Sequence, residues 1–208
     1  MSEFTPPPEG WTVLAIHAHP DDVEFQCAGT LQLLKAIGAK VHIASMTPGD
    51  CGSREHGPEA ISAIRREEGR RAAELMGATY HCLEFRDLSI VVDLDSKRRV
   101  TEFIRRVRPH IVFTAPPVDY MDDHEATSRL VRDACFNASC PNYSTRQWEP
   151  ASATDRIPYL IYVDPVEGVN HFGDAIVPHF YVDTTAEFPL KREMLACHES
   201  QRNWLRSQ

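Results

Sequence analysis

Nothing in this sequence is arranged to cradle a phosphate. Its 10 glycines in 208 residues form neither Gly-x-Gly-x-x-Gly nor a Gly-Lys-Ser/Thr loop, the patterns in which glycine backbone closes around a pyrophosphate. Dinucleotide binding is therefore disfavoured. No Gly-x-Ser-x-Gly elbow is present, so a serine hydrolase has little support. The six cysteines (Cys27, Cys51, Cys82, Cys135, Cys140 and Cys197) contain no Cys-x-x-Cys pair. Their scatter speaks against both a disulfide framework and a zinc ribbon. Cys51 lies in a glycine-rich turn, where it could be exposed, with no evident base beside it. No apolar run approaches the roughly 18–20 residues that span a bilayer. Positive charge is short as well: 22 Lys and Arg against 30 Asp and Glu leave a net charge of -8, which disfavours binding to nucleic acid. The arginines at 65–71 and 98–108 interleave with glutamate and apolar residues, the pattern of solvated helix faces. The N-terminal stretch, with Glu3 and prolines at 6–8, lacks the basic and apolar regions of a signal peptide, which predicts a cytoplasmic location.

What is present is an alternation of apolar runs and amphipathic segments. The patterning predicts strands at 11–17, 40–46, 80–85 and 110–115. Helices are expected at 24–37, 58–76, 95–107 (capped by Asp95) and from His124 to Ala138. Gly38 and Gly77 stand where helix C-termini end. Residues 141–158 read as a long loop, 159–163 and 179–183 as further strands, and 186–206 as a closing helix. This order implies one α/β domain over 1–208, a Rossmann-like parallel sheet with helices on both faces.

In such a sheet, ligands meet the carboxyl ends of the strands where the strand order reverses. His19, Asp21 and Asp22 follow the first strand, Thr47, Gly49 and Asp50 the second, and Asp87 the third. Asp119, Tyr120, Asp122, Asp123 and His124 follow the fourth. A histidine and a carboxylate at i and i+3, on a turn entering a helix, can reach one ion, and that donor pair suits Zn²⁺. Asp21, between His19 and Asp22, is then free to act as a general base. A helix cap alone would need neither His19 nor a second acid. With strand order 3-2-1-4, His124 arrives opposite His19 and Asp22. Two histidines and one carboxylate leave a fourth position for water, the catalytic zinc pattern. His17 shares a strand face with His19 and could support it from behind.

These residues resemble the LmbE-like, or PIG-L, family of zinc-dependent N-deacetylases through most of the chain. His19-Pro20-Asp21-Asp22-Val23-Glu24 with Gly29-Thr30 matches the family's opening motif, which is highly specific. Thr47-Pro48-Gly49, Arg65-Arg66-Glu67-Glu68, Asp87-Leu88 and His198-Glu199-Ser200-Gln201 are similar to its later motifs, weaker singly but in the family's order. The resemblance implies one Zn²⁺ per chain, or another divalent transition metal, on His19, Asp22 and His124, with Asp21 as base. It also implies Arg65 and Asp87 as contacts to a small N-acetylated, sugar-like substrate. Family members assemble, so the apolar stretch 157–183 could be a subunit contact or a sheet extension. One departure stands out: Met121 occupies the place of a family histidine that serves the oxyanion or the leaving group. Tyr120 could replace it, since a phenol can donate to a developing oxyanion. The extra acids Asp119 and Asp122 suggest a substrate of different polarity. The expected activity is hydrolysis of an N-acetyl amide. The alternative is a non-catalytic, metal-dependent sugar- or nucleotide-binding module, which the loss of the histidine favours.

Overall fold

A computed structural model describes residues 10–206, with side chains to 202. Five strands form one sheet: β1 (Thr12–His17), β2 (Lys40–Ser45), β3 (Thr79–Cys82), β4 (Ile111–Thr114) and β5 (Tyr159–Tyr162). Their order is β3-β2-β1-β4-β5, and every adjacent pair is parallel. The strand order expected for bringing His124 to β1 is the one found. In the central strand Leu14 and Ile16 pack into one core with residues such as Val100, Ile104, Leu130 and Val131. Val13 and Ala15 point oppositely, into a core with Leu31, Ala72, Met76 and Met194. Both faces are thus buried, as near-continuous apolar strands require.

The helices are α1 (Asp22–Gln26), α2 (Ala28–Ala36), α3 (Pro58–Met76), α4 (Leu94–Val107), α5 (Asp122–Asn137), α6 (Phe188–Ala196) and α7 (Glu199–Arg206). α3 spans the expected residues and ends at Gly77, whose φ of +70° is left-handed. The helix expected over 24–37 is divided at Cys27, where φ falls to -140°. Past this break Gly29 meets the chain returning at residue 184, and a Cβ on Gly29 would lie 2.6 Å from Thr184 Cβ. α4 is capped by Asp93 rather than Asp95: the Asp93 carboxylate accepts from Ser96 N at 2.8 Å. Asp95 sits in the first turn instead, 3.5 Å from Arg98. Residues 179–183 form no strand; they are exposed, and among the described residues no strand pairs with them. The closing helix is broken at Cys197–His198 into α6 and α7.

The long loop after α5 is held by α4. Buried Arg105 donates to Ala138 O (3.2 Å) and Cys140 O (2.7 Å). Buried Glu102 accepts from Thr145 Oγ1 (2.8 Å) and Ala151 N (3.0 Å). Arg65 and Arg105 therefore depart from the solvated-face reading of their clusters. All six cysteines are free thiols, Cys51 exposed among them. Among the described residues, no helix is long and apolar enough to cross a membrane.

Candidate metal centre

β1 ends at His17, and the chain turns through Ala18-His19-Pro20 before Asp21 takes φ +105°. That conformation is costly for a residue with a Cβ. Here it reverses the chain so that α1 starts at once with Asp22. The Asp22 carboxylate then folds back over the turn: its Oδ2 accepts from His19 N at 2.8 Å. The same oxygen lies 2.7 Å from His17 Nδ1 and 3.2 Å from His19 Nδ1. Since β4 neighbours β1, the start of α5 reaches this edge, and His124 Nε2 stands 3.4 Å from Asp22 Oδ2. One carboxylate oxygen is ringed by three imidazoles.

A second group adjoins the first. His19 Nε2 lies 2.9 Å from Asp87 Oδ1 and 3.4 Å from Asp123 Oδ2. Ligand-type atoms thus gather in two sets, His17–Asp22–His124 and His19–Asp87–Asp123, the atoms of each set lying within 4.8 Å of one another. The three residues expected to share an ion meet at Asp22, and His17 competes with His19 for the same position. A divalent ion fits these residues. Nε2 of His17 and of His124 are buried without a hydrogen-bond partner, and imidazole with carboxylate is the donor set of zinc and its neighbours.

The outer partners of these side chains are equally defined. His124 Nδ1 pairs with buried Asp119 Oδ1 at 3.0 Å. Asp123 accepts from Leu88 N (2.7 Å) and Ile90 N (3.2 Å), and Asp87 accepts from Cys51 N at 3.1 Å. Asp119, expected to face the substrate, instead faces His124. Such outer partners set which nitrogen a histidine offers and raise its basicity. Sequence reading missed Asp119 and Asp123 in this role; the one available signal was their placement close to His124, on the loop before α5 and in its first turn.

Asp21 stands beside the group. Arg65, buried beneath the turn, donates to Pro20 O at 2.8 Å and lies 3.5 Å from Asp21 Oδ2. Gly49 is required here, since a Cβ would fall 2.1 Å from the Arg65 guanidinium. Burial raises the Asp21 carboxyl to about 6, with Arg65 opposing the shift. Burial also works against an ionised Asp22, yet His17 and His124 hold it well below the usual carboxylate range. Tyr120 is mostly exposed, and its ring meets that of His124 edge-on at 5.5 Å. The closing motif lies behind the turn. His198 Nε2 is 3.3 Å from buried Glu24, Ser200 donates twice to Glu68 (2.8 and 2.6 Å), and Gln201 donates to Gly52 O at 3.1 Å.

The chain is 27% identical to diacetylchitobiose deacetylase of Thermococcus kodakarensis over 197 residues, 91% of this chain and 69% of that protein. It is 26% identical to 4-oxalmesaconate hydratase of Pseudomonas putida over 140 residues, 64% of this chain and only 54% of that protein. The structure of N,N'-diacetylchitobiose deacetylase from Pyrococcus horikoshii, complexed with its inhibitor MPG, superposes with a TM-score of 0.79. That match is 25% identical and covers 91% of this chain and 70% of the other. Residues 14–135, from β1 to the last turns of α5, match the model of the GlcNAc-PI de-N-acetylase family. The match spans more than half of the chain and both halves of the centre, so the chain belongs to the PIG-L family of GlcNAc-PI de-N-acetylases.

Proposed function

We propose that the protein is a zinc-dependent hydrolase that removes the acetyl group from an N-acetylated amino sugar or a related conjugate. The observation that carries this reading is the ring of three imidazoles on Asp22, with Asp21 beside it. In this reading His19, Asp22 and His124 hold the ion, and His17 orients Asp22. When bound, the ion lowers the pKa of a water towards about 7 and polarises the acetyl carbonyl.

Asp21 takes the proton of the water that attacks the carbonyl carbon, and Tyr120 donates from its hydroxyl to the oxygen that gains charge. Asp21 then returns the proton to the amide nitrogen as the bond to carbon breaks. An amine departs poorly without that proton, so one carboxylate serves both steps. A carboxyl raised to about 6 by burial suits both roles near neutral pH. Arg65 and Asp87 meet sugar hydroxyls at the floor of the site, while their own partners, Asp21 and His19, keep them in place.

Acetate release tests the reading. Metal-loaded protein is expected to free acetate from N-acetylated amino sugars and to stop after chelation. Metal-loaded protein that frees none from a panel of such sugars would overturn it. A second reading, water addition to an unsaturated acid, is favoured by the similarity to the Pseudomonas hydratase. Turnover of 4-oxalmesaconate without acetate release from any sugar would establish it.

A further inference from the structure

α1 is too short to hold its own orientation. Its 5 residues make little more than one turn, and an isolated turn of helix is unstable in water. Its N-cap, Asp21, makes no capping bond with its side chain and sits at φ +105°. Such a conformation persists only where the surroundings over-determine it.

The last elements of the chain supply those surroundings. Lys191 of α6 donates to Phe25 O at 2.7 Å. His198, between α6 and α7, brings Nε2 to 3.3 Å from Glu24 Oε1. Glu24 is 1% exposed and His198 2%. A carboxylate so buried is costly without a basic partner, and among the described residues His198 is the one basic side chain in ion-pairing reach of Glu24. Burial works against a proton on His198, yet Glu24, and beyond it Asp21 and Glu68, raise its pKa above the ordinary value. Glu24 lies one turn past Asp21, and Phe25 N donates to Asp21 O at 3.0 Å. Whatever moves Glu24 therefore moves the turn that carries Asp21.

We propose that His198, acting through Glu24, is a positioning residue that fixes where the Asp21 carboxylate stands. It serves by holding α1 in place and takes no part in a proton transfer. The proposal rests on the reading of Asp21 as the base.

The test compares wild type with His198→Gln and Glu24→Gln, all metal-loaded. His198→Gln is expected to keep metal content and KM and to lower kcat for acetate release about 100-fold, the cost of a misplacement near 1 Å. In the Asp21→Asn background the same substitution is expected to cost nothing further, because the two residues act as one unit. Wild-type kcat, a rise in KM alone, loss of the metal, or losses that multiply with Asp21→Asn would each overturn the proposal. Glu24→Gln keeps the shape of its side chain and is read by the same outcomes should His198→Gln not fold. Crystal structures of wild type and variant separate this proposal from the deacetylase reading. If wild type frees no acetate, that reading fails. An Asp21 turn displaced by the substitution would still uphold the positioning, and one that superposes on wild type would overturn it.

Discussion

His124 Nδ1 and Asp119 Oδ1 lie 3.0 Å apart, both side chains buried. Burial lowers the tendency of His124 to hold a proton, but Asp22 and Asp119 outweigh it and raise the pKa. A carboxylate on Nδ1 commits Nε2 to the centre. Asp119→Ala is therefore expected to weaken metal affinity by about 10–100-fold while the protein stays folded. Competition with a chromogenic chelator measures it; wild-type affinity in the variant would remove Asp119 from this role.

Two imidazoles contend for one place beside Asp22, and substitution separates them. His19→Ala is expected to lose the metal, whereas His17→Ala should retain it with reduced affinity. Metal content by plasma mass spectrometry, after purification without a nickel column, reads the outcome. The reverse pattern would assign the ion to His17, Asp22 and His124, the compact set seen in the structure.

Asp21 holds no place among the proposed ligands, so its removal should spare the metal. Asp21→Asn is expected to keep metal content and lose roughly 10²–10⁴ in the rate of acetate release. Full activity in this variant would take Asp21 out of the mechanism.

His42 on β2 and His81 on β3 stand with Nδ1 and Nε2 2.9 Å apart. Burial, then the charge of His81, lowers the His42 pKa from 6.5 to about 4. Between those values the unfolded chain binds a proton that the folded chain refuses. Stability from neutral His42 is thus complete above about 6.5 and falls as pH drops towards 4. His42→Gln should flatten that limb when the urea midpoint is followed from pH 7 to pH 4. An unaltered slope would place the acid sensitivity elsewhere.

Much of the centre was legible before folding. His19, Asp21 and Asp22 adjoin in the chain, and a turn after a buried strand can present them only at the strand's carboxyl end. α3 was legible to the residue because Pro58 and Gly77 mark its ends with opposite backbone demands. Cys197–His198 was not. His198 turns inward to Glu24 and Ser200 bonds Glu68, so tertiary partners break a helix that local pattern would continue. The left-handed Asp21 was equally hidden, since glycine, not aspartate, is what a positive φ ordinarily selects.

The order of apolar and polar residues by itself determined the alternation of strands and helices, the parallel sheet, and the edge on which the acids and histidines fall. Period and spacing carry that information because they act within a few residues. Only the tertiary structure decided that His17 shares Asp22 with His124, that Asp119 and Asp123 face the histidines, and that Arg65 is buried beneath Asp21. Except for Asp119, five positions from His124, those contacts join β1 and the turn after it to residues roughly 45 to 105 positions away in the chain. Which atom meets which, at about 3 Å, is settled by how helices seat on the sheet, a packing outcome that no local pattern encodes.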